Sequence, residues 1–270
     1  MHRRLPTYAS VFVAACLISI TGCDRAAKAP VFQSPKPKAT GTTGEMSVAQ
    51  EHVWNDKSRE DLRTTLRRAI LGELRLAKND HKSILDACDE TYIGDDCPEN
   101  EQRTFIQFAA DELKRAEAQL ASEKSAWPAV TDCNRLDRAE SALRDRGILL
   151  WQVSPCCDTC TYGEMEDRTD AINRRHPGFR DRLRGYAFFI DQNMPEILAN
   201  GTDLSVYFAY GWFSPDDSEV APDVYPKVAL SIAREVCECL RDEGFEANWD
   251  GDLARKIGVS LNWQRRTMLE

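Results

Sequence analysis

Apolar residues recur every three or four positions through the first part of the chain that has a regular pattern. A stripe of leucine and isoleucine runs with a period of four over residues 62–74, and arginines fall on the other faces. This spacing predicts an amphipathic helix with one buried side. Two more helices are predicted, a short one over 81–92 and a longer one over 97–127 that ends at a Trp-Pro pair. We therefore assign residues 51–128 to a helical segment.

From residue 129 the pattern changes to alternating helices and strands. A helix capped by Asp132 and ended by Gly147 is predicted first, and a second helix is predicted over 225–243. Five apolar runs predict strands, at residues 148–153, 186–190, 204–210, 245–249 and 257–263. Helices that cover one face of a sheet of about five strands form an α+β fold. This fold is assigned to residues 129–266.

The N-terminal part of the chain has neither the helical nor the strand periodicity. Two arginines precede an uncharged apolar run over residues 9–20, which ends in Ile20-Thr21-Gly22-Cys23. The run is shorter than the roughly 20 residues of a membrane-spanning helix and has the length of a signal-peptide core. It resembles the lipobox of bacterial lipoproteins. The resemblance implies a signal peptide over 1–22, cleavage before Cys23, and lipidation of that cysteine.

A second match to the same pattern ends at Cys16, but cleavage there would expose an apolar LISI segment, so Cys23 is preferred. Two or more acyl chains anchor a protein stably, so the resemblance implies attachment to a membrane on the extracytoplasmic side. Asp24 resembles the signal that retains enterobacterial lipoproteins in the inner membrane. Residues 23–50 are rich in proline, lysine and small polar residues, and we expect a flexible tether behind the anchor.

Charge limits the range of partners. The whole chain carries a net charge of −9, and removing the two arginines of residues 1–22 makes it −11. Nucleic-acid binding depends on neutralising phosphates, so this composition argues against DNA or RNA as a partner. It equally argues against a polybasic hold on anionic lipid. The expected partners are the membrane, through the N-terminal lipid, and another protein.

Cysteine is the residue type that offers the most chemistry. Eight of the ten cysteines follow Cys23. An exported chain meets an oxidising compartment, where an even number of cysteines favours disulfides. Cys88 and Cys97 bracket an acidic turn between two predicted helices, and we mark them as a candidate disulfide. Cys237 and Cys239 lie two positions apart on one helix, so they point in different directions, and we interpret them as small core residues.

The Cys156-Cys157-x-x-Cys160 cluster follows the first strand and is placed in a loop. Three interpretations stay open. Zinc could be held by Cys157 and Cys160 with Cys156 or Cys133, since the spacing suits tetrahedral thiolate coordination. Thiol–disulfide exchange could use the Cys157/Cys160 pair. Structural thiols are the third interpretation.

Several short motifs stand out in the C-terminal half, namely Thr131–Asp137 (TDCNRLD), Arg146-Gly147-Ile148, the Cys156–Cys160 cluster, Gly185–Phe189 (GYAFF), Gly244-Phe245, Asn248–Gly251 (NWDG) and Asn262–Arg266 (NWQRR). Together they resemble one bacterial family, the domain-of-unknown-function family numbered 6891. The resemblance extends over about residues 55–266. Relatives often read Gly-His-x-Glu after the third cysteine, where this chain has Thr161–Glu164 (TYGE), so the resemblance supplies no histidine ligand.

Aromatic residues form a second conspicuous group. Tyr207, Phe208, Tyr210, Trp212 and Phe213 crowd the end of the third predicted strand. Alternation along a strand places Tyr207 and Phe208 on opposite faces. An exposed aromatic cluster here would indicate a surface for a protein partner. The alternative is that the rings cover the sheet beneath helices.

No catalytic residues can be assigned from motifs. His52, His81 and His176 lack partners in any hydrolase or metalloprotease pattern, and we expect all three at the solvated surface. The acidic run DETYIGDD lacks the spacing of a calcium loop. The sequence therefore predicts a membrane-tethered binding or interaction domain without catalytic activity and without a cofactor. The alternative is a zinc-binding or thiol-redox protein centred on Cys156-Cys157-x-x-Cys160.

Overall fold

Five strands form a mixed sheet in the computed structural model, which describes residues 54–94, 97–155, 157–213, 221 and 223–269. In chain order the strands are β1 (Ile148–Ser154), β2 (Gly185–Ile190), β3 (Asp203–Trp212), β4 (Ala247–Asn248) and β5 (Ile257–Asn262). Their order in the sheet is β1-β2-β3-β5-β4. β1 and β2 are parallel, and the other neighbours are antiparallel.

Helices precede the sheet and alternate with its strands. In chain order they are α1 (Asp56–Leu76), α2 (His81–Cys88), α3 (Glu99–Ala126), α4 (Asp132–Asp145), α5 (Asp158–Arg175), α6 (Phe179–Arg182), α7 (Met194–Leu198) and α8 (Val224–Asp242). The acidic run after α2 begins with a π-helical turn, Asp89–Ile93. N-terminal helices followed by a five-stranded sheet packed with helices confirm the predicted α+β fold.

The start of α4 differs by one residue from the sequence prediction. Thr131, not Asp132, is the N-cap, and it forms a capping box with Asn134. A threonine at this position accepts from a backbone N–H of the first turn, which a helix cannot satisfy internally. Asp132 instead becomes the first helical residue, and its carboxylate accepts the backbone N–H of Asn262 at 2.8 Å. The prediction that Asp132 caps the helix was therefore wrong.

Alternate residues of β1 and β2 belong to two different cores. Ile148, Leu150, Ala187 and Phe189 pack into a core with residues of α4 and α8. The residues between them form a second core with α5, through Leu149, Tyr186, Phe188, Met165 and Ile172. The structure thus adds a helix, α5, on the face opposite α4 and α8.

A third core lies among α1, α2 and α3, and the end of the chain connects this helical layer to the sheet. Trp263 is fully buried in the sheet core, and its indole N–H donates to the carbonyl of Arg75, at the end of α1, at 3.1 Å. The backbone N–H of Leu269 donates to the carbonyl of Ala77 at 2.7 Å. The described residues belong to one compact unit.

The N-terminal predictions concern residues that the structure does not describe. Cys16, Cys23, the signal peptide over 1–22 and the tether over 23–50 all lie outside the described residues. Within the described part, the structure contains no helix both long and apolar enough to cross a membrane.

Candidate functional site

The Cys157/Cys160 pair lies at the start of a helix. The sequence placed it in a loop, but Cys157 is the N-cap of α5 and Cys160 is in its first turn. The helix escaped prediction because its fully buried positions alternate between threonine and apolar residues, in the order Thr161, Met165, Thr169 and Ile172. Packing against the sheet therefore stabilises helix α5 more than its own apolar periodicity does.

The two thiols are close together and reachable from solvent. Their Sγ atoms are 3.3 Å apart, and the backbone N–H of Cys160 donates to the Sγ of Cys157 at 3.4 Å. Cys157 is half-buried and Cys160 is exposed. The N-terminus of a helix carries a partial positive charge, which favours a thiolate over a thiol. The geometry therefore suits a reactive dithiol in which Cys157 receives the stabilising N–H.

Two buried hydroxyl groups hold the start of α5 against the sheet. The Oγ1 of Thr161 donates to the Oγ of Ser154 at 2.9 Å and lies 3.0 Å from the carbonyl oxygen of Cys157. The Ser154 hydroxyl donates to the carbonyl of Phe189 on the neighbouring strand at 3.2 Å. Because both hydroxyls are buried and bonded, they fix the position of Cys157 relative to β1 and β2.

The strand that leads into the site is strained at its end. Val153 has φ of 54°, in the left-handed region that β-branched residues rarely adopt. The pairing of β1 with β2 shifts register between Trp151 and Ser154. Backbone strain of this kind costs about 1–3 kcal/mol and clusters at functional sites. It occurs here four residues before Cys157, the first described cysteine of the cluster.

Two ion pairs flank the site. Lys256, one residue before β5, binds the carboxylate of Asp158 with its Nζ 2.9 Å from Oδ1. Asp191, whose N–H donates to the carbonyl of Ser154 at 3.0 Å, is bound by Lys78 at 2.5 Å. No local pattern indicates this pairing, because Lys256 lies 98 positions from Asp158.

The zinc interpretation gains no third ligand from the described residues. Cys156 lies outside them, so a set of Cys156, Cys157 and Cys160 stays a prediction. Cys133 is buried in the sheet core, and burial raises the pKa of its thiol to about 12. Within the described ranges, no group of three or more His, Cys, Asp or Glu side chains is arranged to hold a metal ion.

The other cysteines lie in hydrophobic surroundings. Cys88 and Cys97 are both buried as free thiols, and burial raises the pKa of Cys88 to about 11 and raises that of Cys97. Their pairing in an oxidising compartment stays a prediction. Cys237 and Cys239 are both buried in the sheet core, where burial raises the pKa of each thiol. These two cysteines are core residues, as the sequence suggested.

The aromatic residues of β3 divide between the interior and the surface. Phe208 is fully buried, whereas Tyr207 is 62% exposed, so the two lie on opposite faces as predicted. Tyr210, Trp212 and Phe213 are half-buried. Within this group the structure exposes only Tyr207, and the rings do not form the exposed cluster that would mark a large partner surface.

The described histidines lie at the surface, as expected. The Nε2 of His81 is 3.0 Å from a carboxylate oxygen of Glu117. His176 is exposed at the C-terminal end of α5, whereas the cysteine pair lies at the opposite end of that helix. His52 lies outside the described residues.

A polar cluster at the outer strand β1 was also missed by sequence reasoning. Arg265 is buried, and its guanidinium donates to the carboxylate of Asp137 at 2.9 and 3.2 Å and to the side-chain oxygen of Gln152 at 2.6 Å. Gln152 in turn donates to Asp137 and to Glu140. Three hydrogen bonds from its Nη atoms hold the buried guanidinium between α4 and β1, although its Nε has no partner among the described residues, and we interpret the cluster as structural.

Comparison with known proteins identifies a family but no activity. A family model described as a domain of unknown function (DUF6891) matches residues 59–267. No curated protein and no solved structure matches the chain. The matched range includes both cysteines of the pair, their supporting hydroxyls and the Asp158–Lys256 ion pair.

Proposed function

The chain belongs to the DUF6891 family of domains of unknown function, and we propose from the geometry of the Cys157/Cys160 pair that it performs thiol–disulfide exchange. The observation that carries the proposal is the placement of Cys157 at the N-cap of α5, with its sulfur 3.3 Å from that of Cys160. This geometry favours the thiol-redox alternative over a binding domain without chemistry.

The exchange proceeds in two balanced steps. The Cys157 thiolate attacks one sulfur of a substrate disulfide, whose S–S bond breaks as a mixed disulfide forms and the other substrate sulfur leaves as a thiolate. Cys160 then loses its proton and attacks the Cys157 sulfur, which releases the second substrate thiolate. Two electrons pass from the dithiol to the substrate, and the site ends as a disulfide. The reverse sequence oxidises a substrate dithiol.

Location is part of the proposal. We propose that lipidation of Cys23 tethers the domain on the extracytoplasmic side, with the inner membrane suggested by Asp24. The support for this is the lipobox resemblance and the proline-rich segment behind it. An oxidising compartment contains protein disulfides that need exchange, so location and chemistry agree.

A membrane-tethered binding domain is the second candidate, and Tyr207 favours it. This ring is 62% exposed on β3, and it is the aromatic side chain of that strand that a partner could contact. A binding domain would need neither thiol of the pair for its activity.

The test is to equilibrate the purified full-length chain in glutathione buffers of graded redox potential and to measure the thiol content of the segment 146–168 by mass spectrometry. We expect Cys157 and Cys160 to interconvert between dithiol and disulfide as one two-electron couple. Cys160→Ser should trap a substrate thiol as a mixed disulfide on Cys157, because the second attack is removed. Cys157→Ser should trap far less.

Cys237→Ser is the matched control, since this thiol is buried away from solvent and should leave the couple unchanged. A pair that stays reduced over the whole range would remove thiol–disulfide exchange and leave the binding function. One equivalent of zinc per chain, lost in Cys157→Ser, would instead establish the metal interpretation.

A further inference from the structure

An ion pair joins Lys256 to Asp158, the chain neighbour of the thiol that is proposed to react. Asp158 is the first residue of α5 and directly follows the N-cap Cys157. Its carboxylate is 2.9 Å from the ammonium of Lys256, and both side chains are about 40% exposed, at 39% and 40%. Lys256 reaches this position from the start of β5, on a different part of the sheet.

A carboxylate at this position works against a thiolate. The positive end of the helix stabilises one negative charge well, and two neighbouring negative charges repel each other. An aspartate at the first helical position would therefore compete with the Cys157 thiolate for the same helix end. A lysine bound to that aspartate offsets part of this repulsion.

We infer that Lys256 is a positioning residue for the dithiol, which keeps Cys157 reactive by neutralising Asp158. The inference rests on the proposed thiol exchange. It also implies a means of regulation. A ligand or partner whose acidic group binds Lys256 would release Asp158 and so lower the reaction rate of the Cys157 thiol. Lys256 is available for this, because it also lines a shallow depression at the surface with Asn248, Trp249, Asp250 and Arg255.

Asp158 is the charged residue that directly adjoins Cys157 in the chain. Strand β1 contributes no charged side chain, and the Asp191 carboxylate at the end of β2 is bound by Lys78. On α5 itself, Glu164 lies a further turn and a half along the helix. Asp158 is therefore the carboxylate placed next to the thiol, and Lys256 is the cation that the structure places on it.

The experiment is a double-mutant cycle read out as the alkylation rate of Cys157 by iodoacetamide as a function of pH. The full-length chain is used with Cys156→Ser and Cys160→Ser, so that Cys157 is the sole thiol of this segment, and labelling is located by peptide mass spectrometry. Lys256→Gln should slow alkylation at neutral pH about two- to fivefold and displace the profile to higher pH. In the presence of Asp158→Asn, the same Lys256→Gln change should have no effect.

Lys227→Gln is the matched control, because it breaks an exposed Lys–Asp pair of 2.6 Å at the start of another helix, α8. It should leave the profile unchanged. The inference would be overturned if Lys256→Gln slowed alkylation equally in the presence of Asp158 and of Asp158→Asn. It would also be overturned if Cys157 reacted fast with Lys256 in place and Lys256→Gln did not slow it. If Cys157 of the wild type reacts no faster than an unstructured cysteine peptide, the proposed exchange function fails instead.

Discussion

Glu101 shows how much a single carboxylate can organise at the surface of this protein. It accepts from the Nε and Nη2 of Arg59 at 2.8 and 2.5 Å and from the indole N–H of Trp54 at 2.8 Å. The hydrogen bond from Arg59 is the main cause that lowers the pKa of Glu101 to about 2. Glu101 of α3 thus binds both Arg59, near the start of α1, and Trp54, which precedes that helix.

Protonation of Glu101 should therefore weaken the helical layer at low pH. Its pKa is about 2 when folded, below the ordinary 4.5, so its contribution is complete above pH 4.5 and is lost as the pH falls towards 2. When the urea midpoint is plotted against pH, Glu101→Gln should reduce the slope of the plot between pH 4.5 and 2. Glu99→Gln, an exposed carboxylate in the same turn, is the control and should keep the wild-type slope. Parallel curves for Glu101→Gln and the wild type would show that the interaction adds nothing to stability.

At the scale of elements, the close contact of α1 with α7 depends on a glycine. A Cβ at Gly72 would lie 2.0 Å from the carbonyl oxygen of Pro195, which is backbone and cannot rotate away. Nearby, the guanidinium of Arg75 donates to the carbonyl of Leu198 at 2.6 Å. Gly72 therefore lets two helices approach at the distance that this hydrogen bond requires.

Gly72→Ala should destabilise the protein by about 1–3 kcal/mol through overpacking, although alanine is the better helix former. Gly163→Ala is the matched control in α5, because nothing lies within 4 Å of the added Cβ. It should stabilise by about 0.5–1 kcal/mol. Urea denaturation of both variants measures the two free energies of unfolding. If both substitutions stabilise, then α1 and α7 are not in tight contact in solution.

At the scale of the whole molecule, the proposed lipid anchor decides where the folded unit works. Cys23→Ser should abolish incorporation of labelled palmitate and release the chain from the membrane fraction. Cys16→Ser is the control, and it should leave incorporation unchanged if the lipobox at Cys23 is the one used. Incorporation that persists in Cys23→Ser would move the anchor to Cys16.

Much of the architecture could be predicted because it depends on local patterns. The stripe over residues 62–74 lies within α1, and the apolar runs locate the five strands to within a few residues. Helix α5 could not be predicted, because few apolar residues mark its buried side and the sheet supplies the rest of its stability. The Thr131 cap and the π-helical turn of Asp89–Ile93 also differ from the pattern, since each depends on hydrogen bonds that periodicity does not encode.

The sequence by itself determined the fold class, the burial of Cys237 and Cys239, and the opposite directions of Tyr207 and Phe208. These depend on the periods of helices and strands, which are properties of the local backbone. Only the tertiary structure decided that Cys157 caps a helix and that Lys256 binds Asp158. Residues 98 positions apart meet because the sheet brings β5 near the start of α5, and no local pattern records such a contact.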